Sequence, residues 1–107
     1  MTFGEFYDFC FALSNEDATT PFDKNTIVFK KKGKIFALTN AEHFEFINLK
    51  CDPDQALYLR ENYQAIKPGY HMNKKHWNSV YLNQDVNDQV IFQLIEASFN
   101  LILLFDK

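Results

Sequence analysis

Thr26-Ile-Val-Phe-Lys-Lys-Lys-Gly-Lys-Ile-Phe-Ala-Leu-Thr39 decides the fold. Both arms are rich in β-branched and aromatic residues, which suit a pleated, half-buried surface. Lys31-Lys32-Gly33 between them reads as a hairpin turn, with glycine free to take positive φ. Strands joined this closely run antiparallel. A second turn, Asn40-Ala-Glu-His43, leads into Phe44–Cys51, a third strand in which Ile47 and Leu49 alternate with Asn48 and Lys50. Phe44 and Phe46 fall on its more polar side, so either the second sheet face is partly covered or a bulge intervenes.

Toward the C-terminus, Asp52-Pro53-Asp54-Gln55 marks a helix start. Asp52 is an N-cap, Pro53 takes the first helical position where its missing N–H costs nothing, and Asp54 favours the positive end of the dipole. The spacing predicts a helix to about Tyr63 that buries Ala56, Leu59 and Tyr63. Lys67–Leu82 supplies two more strands, with a turn near Asn73-Lys74-Lys75. Asp85 to Asp88 caps a last helix whose stripe is Ile91, Ile95, Ser98, Ile102 and Phe105. Toward the N-terminus, Thr2 and Glu5 fit a capping box, and Phe3, Phe6, Cys10 and Leu13 recur at helical spacing. Ser14–Thr20 is a polar connector ending at Pro21-Phe22. The order α-β-β-β-α-β-β-α implies an α+β two-layer sandwich, an antiparallel sheet with helices on one face, with residues 1–107 as a single domain.

Composition agrees. A chain of 107 residues buries roughly 65% of its unfolded surface, enough for one core without metal or disulfide. Aromatics reach 17%, with twelve phenylalanines, so either the core is aromatic or part of the surface is an interface. Cys10 and Cys51 have no regular spacing, which suits a reduced, cytoplasmic protein. The N-terminus lacks the basic and apolar regions of a signal peptide, and Leu101–Phe105 is too short to span a bilayer, so no membrane role is expected. Net charge is −3, but residues 24–84 carry ten basic residues against five acids while both flanks are acidic. A basic face is therefore possible on an acidic chain.

The segment richest in chemistry is Lys67-Pro-Gly-Tyr-His-Met-Asn-Lys-Lys-His-Trp-Asn78, which holds two of three histidines, the only tryptophan and no carboxylate. Read with Pro21-Phe22, Val28-Phe-Lys30, Gly33–Ala37, Leu49-Lys-Cys-Asp-Pro53, Leu59-Arg60 and Ser98, it resembles the MmcQ/YjbR family of small bacterial proteins. The resemblance covers nearly the whole chain. It implies a two-layer fold like that of the secretion-chaperone and frataxin-like groups, and a DNA-binding label that rests on a "double wing" shape. Fold does not fix function. The chain ends soon after its last helix, so no basic tail is expected to assist.

Lys30 and Lys32 on the hairpin, with Lys67, Lys74 and Lys75 on the signature segment, are the candidate phosphate ligands. Tyr70, His71, Asn73, His76 and Trp77 are the candidates for stacking or polar contacts. If both lysine groups share a face, four to six phosphate contacts would make binding steeply salt-dependent. The simpler account is that hairpin lysines solubilise and Trp77 is core. His71 and His76 are five apart, which suits no regular ligand pair. No HExxH, CxxC, paired-carboxylate or glycine-rich phosphate motif occurs, so neither metal nor cofactor nor catalysis is expected. The reading is a non-enzymatic binding module for nucleic acid. The alternative is a protein-interaction domain, chaperone-like or dimeric through the apolar end of the last helix.

Overall fold

The computed structural model describes residues 1–104. Helix α1 (Phe3–Ser14) begins as its sequence dictates: Thr2 Oγ1 accepts from the Glu5 amide at 3.1 Å, and Glu5 Oε1 accepts from the Thr2 amide at 2.8 Å. Strands β1 (Thr26–Lys31), β2 (Lys34–Asn40) and β3 (Phe46–Lys50) follow, then α2 (Pro53–Asn62), β4 (Ile66–Pro68), β5 (Trp77–Tyr81) and α3 (Asp88–Leu104). The five strands form one antiparallel sheet in the order β1-β2-β3-β5-β4. The α+β order expected from the sequence is the one observed. Phe105, the last residue of the expected α3 stripe, lies outside the described residues.

The helices cover one sheet face. Phe6 and Cys10 of α1 and Ile91, Ile95, Ser98 and Ile102 of α3 are fully buried against Phe29, Phe36, Ile47 and Val80. Aromatic rings knit these layers edge-on, with Phe6 5.8 Å from Phe29 and Phe36 5.1 Å from Phe99. Much of the phenylalanine excess is therefore core. No helix among the described residues is long and apolar enough to cross a membrane.

The Phe44–Phe46 ambiguity resolves into two destinations. Strand pairing starts only at Phe46, opposite Tyr81, so Phe44 precedes β3. Its ring turns to the helical layer, 5.6 Å from both Phe3 and Phe6. Phe46 faces the other side, 4.9 Å from Tyr81 and 5.8 Å from Tyr70. The loop between β4 and β5 thus partly covers the second face. The sheet's bulge lies elsewhere, in β2. Phe29 pairs with Ala37 and Lys30 with Ile35, leaving Phe36 without a counterpart. The extra residue lets Phe36 and Ala37 both enter the core. The Phe36 carbonyl is instead satisfied from α3: Ser98 Oγ donates to it at 2.6 Å and accepts from the Lys50 amide at 2.9 Å.

On the face away from the helices, register aligns Val28, Leu38, Asn48, Ser79 and Lys67 in one row across all five strands. At one rim, Val28 exchanges two backbone hydrogen bonds with Thr19, at 2.8 and 2.9 Å. At the other, β4 is three residues long and ends in proline.

Candidate functional site

The Pro68–Asn78 segment serves two separate surfaces, and the division follows from how the loop is pinned. Gly69 continues the ladder by donating to the Trp77 carbonyl at 2.9 Å. A Cβ on Gly69 would stand 2.7 Å from Trp77 Cβ, so only glycine lets the strands stay paired here. The Tyr70 amide donates to Ser79 Oγ at 2.9 Å, and Asn48 Nδ2 donates to the Tyr70 carbonyl at 3.2 Å. Ser79 Oγ in turn donates to Asn48 Oδ1. These bonds fold Tyr70 and His71 over the open sheet face. His71 takes a left-handed backbone, φ +57°, an uncommon conformation for a non-glycine residue that reverses the chain at this point.

The other half of the loop is pinned from α2. Arg60 Nε donates to Asn78 Oδ1 at 2.7 Å, and its terminal nitrogen donates to the Trp77 carbonyl at 3.2 Å and to the Lys74 carbonyl. Lys74 Nζ folds back onto the carbonyls of Gly69 and Met72. Asn73 Oδ1 accepts from the Lys75 amide at 2.9 Å, closing an Asx turn.

The first surface is a groove of about 480 Å³ on the open face. Ile35, Leu38 and Asn48 form its floor, with Phe46, Tyr70 and Phe22 among its walls. Phe22 is 66% exposed and Tyr70 55%. Most polar groups in it are committed: Asp23 to the amides of Asn25 and Thr26, Asn40 to those of Glu42 and His43, and Thr39 to the Phe46 carbonyl. The two amide bonds and the Thr26 hydroxyl bond that Asp23 accepts hold its carboxyl below the usual range. The His71 ring lies 4.1 Å from the Tyr70 ring and makes no hydrogen bond among the described residues. No lysine lines this groove. Lys30 and Lys67 leave the same face of the sheet at opposite rims, four strand spacings apart, roughly 19 Å.

The second surface lies at the end of the sheet, where Asn73, His76 and Trp77 join Lys50, Cys51 and Pro53 around a hollow of about 310 Å³. It runs into a cleft of about 260 Å³ between α2 and α3, walled by Leu59, Leu94, Ala97 and Leu101. Burial, then the neighbouring Asp52 charge, pushes the Cys51 thiol up to about 11, and burial raises Cys10 further. Neither is a thiolate nucleophile at neutral pH.

The sequence-derived candidates are therefore divided. Tyr70 and His71 belong to the groove, while Asn73, His76 and Trp77 belong to the hollow. His71 and His76 line different surfaces and do not converge. Lys75 is exposed on the loop, and Lys74 is folded back onto it. On the hairpin, Lys31 reaches α1, donating to the Ser14 carbonyl at 2.7 Å beside Glu16 at 3.7 Å, while the Lys32 amide donates to Glu16. Sequence reasoning did not single out Phe22, Leu38, Phe46 or Asn48 as groove residues, or Arg60 as the clamp. Arg60 carried two signals, its place in the Leu59-Arg60 pair of the family pattern and its being the only arginine among eleven basic residues. A guanidinium is the side chain that can hold several carbonyls at once.

Comparison with known proteins gives a consistent picture. The model of a family described as YjbR matches residues 11–101. YbdF of Escherichia coli O157:H7, an uncharacterized protein, is 46% identical over 84 residues, covering 78% of this chain and 69% of that one. YjbR of Escherichia coli K12, also uncharacterized, is 30% identical over 100 residues, covering 92% and 85%. Among solved structures, the Deinococcus radiodurans protein DR2400, with a DUF419 domain, superposes with a TM-score of 0.78 at 35% identity, covering 89% of this chain and 76% of that one. A Pseudomonas syringae protein does so with a TM-score of 0.79 at 31% identity, covering 94% and 98%.

Proposed function

This chain belongs to the MmcQ/YjbR family, and from that premise and its open sheet face we propose a non-enzymatic module that binds single-stranded nucleic acid without strong sequence preference. One observation carries the reading: an aromatic-walled groove lies on a sheet face from which Lys30 and Lys67 emerge at either rim. Stacking on an exposed ring is tolerant of base identity, and rim lysines would take the phosphates. Tyr70 and Phe22 offer the ring faces and His71 a donor or acceptor beside them. Trp77 takes no part in this groove.

Lys74 and Lys31 are engaged within the fold, so two or three phosphate contacts, through Lys30, Lys67 and Lys75, are the reasonable complement. For a single strand that number weakens binding roughly seven- to twenty-fold between 50 and 200 mM salt. Fluorescence anisotropy with labelled single-stranded DNA, single-stranded RNA and duplex at both salt concentrations tests it. Flat anisotropy for every probe at 50 mM removes the reading, and duplex preference removes its single-strand form. The second reading, a protein partner, draws on the exposed Leu103 and Leu104 at the end of α3, the latter 66% exposed.

A further inference from the structure

We propose that the α2–α3 cleft and the adjoining hollow at the end of the sheet form one binding site for a small amphiphile with an anionic head, a medium-chain carboxylate. The site is separate from the nucleic-acid groove, and neither proposal depends on the other.

The cleft exists because α2 leans on β4 rather than closing onto α3. Its walls are aliphatic, and its one buried polar floor group, Asn78, is committed to Arg60 through Oδ1 and to the Ala56 carbonyl through Nδ2. Its remaining polar residues, Lys50, Asp52 and Gln55, stand at the mouth, and between Leu49, Leu59, Val80 and Leu94 the lining is apolar, so the part that enters is apolar. An apolar cavity of about 150 Å³ suffices to hold benzene. A cleft of about 260 Å³ accordingly has room for a chain of several methylenes.

The cleft and the hollow share Lys50, Cys51, Asp52 and Leu101, so a ligand lying in one extends into the other. In the hollow the chemistry changes sign. Lys50, His76 and Trp77 all border it, and their side chains make no hydrogen bond to another described residue. Three donor-bearing side chains without a partner among the described residues, beside an apolar slot, complement one carboxylate. The acid on the rim, Asp52, is turned to its own helix, where Oδ2 accepts from the amides of Asp54 and Gln55 at 3.2 Å each. This arrangement also accounts for His76 and Trp77, which the open face leaves unused.

The test titrates the whole chain with hexanoate, octanoate and decanoate, following Trp77 emission and backbone amide shifts. Saturable shifts are expected at residues 49–52, 55–59 and 94–101, with affinity rising roughly two- to four-fold per added methylene until the cleft is full. Ala97→Phe, on an exposed helical position, fills the cleft without disturbing the core and should weaken decanoate at least ten-fold. Lys50→Gln should weaken the carboxylate several-fold while leaving decanol unchanged, and Tyr70→Ala should change neither. Absence of saturable shifts at millimolar decanoate overturns the proposal. So do shifts confined to the Tyr70–His71 groove, or undiminished binding by Ala97→Phe.

Discussion

Arg60 and Asn78, eighteen residues apart, meet through a 2.7 Å hydrogen bond that ties α2 to the second residue of β5. The same guanidinium holds the carbonyls of Lys74 and Trp77, so one side chain fixes where the signature loop re-enters the sheet. Replacing it with alanine leaves buried Asn78 Oδ1 and the Lys74 carbonyl without this donor, and the Trp77 carbonyl with the Gly69 amide alone. We expect Arg60→Ala to cost about 1–3 kcal/mol. Lysine should recover less than half of this, because an ammonium cannot reproduce the fork. Chemical denaturation measures the loss, and faster amide exchange at residues 74–77 would locate it.

Ser98 does for the β2 bulge what Arg60 does for the loop. Ser98→Ala removes a donor to the Phe36 carbonyl and an acceptor for the Lys50 amide, the first bond buried and the second part-buried, at a fully buried side chain. A loss of about 2 kcal/mol is expected. An unfolding midpoint that stays at the wild-type value would show that the bulge does not need its pin.

Gly69→Ala should lower stability by about 1–3 kcal/mol through overpacking, since the added methyl meets Trp77 Cβ at 2.7 Å and the Trp77 carbonyl at 3.0 Å. Trp77 emission reports the displacement directly. An unshifted spectrum with unchanged stability would contradict the close approach.

Asp85 accepts from the amides of Gln64 and Ala65 at 2.7 and 2.8 Å, and these bonds hold its carboxyl below the ordinary 3.8. With the folded value depressed, the linked stability is present above the unfolded value and is lost as pH falls through the folded one. Asp85→Asn should therefore flatten the decline in stability below about pH 4 and leave the profile between pH 5 and 8 parallel to wild type. Glu5 and Asp23 are lowered by similar bonds, so the flattening is partial. Denaturant midpoints across pH 2–8 decide it.

On the open face, Tyr70→Ala should weaken oligonucleotide binding about five- to hundred-fold, the range for one lost stacking partner, without altering the salt slope. Lys30→Gln should do the reverse, lowering the slope by about 0.7 with a smaller loss of affinity. Anisotropy at four salt concentrations separates the two.

The element order was legible because its signals are local. A capping box, an Asp-Pro start and a Lys-Lys-Gly turn each act within a few residues. The β2 bulge was not, since Phe36 and Ala37 look like ordinary alternation until a serine 62 residues later satisfies the freed carbonyl. Phe44 and Phe46 were ambiguous for the same reason: one ring answers to α1 and the other to the β4–β5 loop. The signature segment stood out by composition, but composition cannot show that Gly69, Arg60 and Ser79 would send its two halves to different places. Phe22 belongs to the family pattern and Leu38 to no motif, but neither signals a groove, and the one they share appears only once the sheet is assembled.

The two rims of the sheet also govern how copies of this molecule can meet. Thr19 already occupies the backbone of Val28 on one side, and a three-residue strand closed by Pro68 leaves little to add to on the other. Propagation by strand addition, the usual road to fibrils, finds no long template at either rim. Contacts through side chains are thereby favoured over strand pairing wherever copies meet.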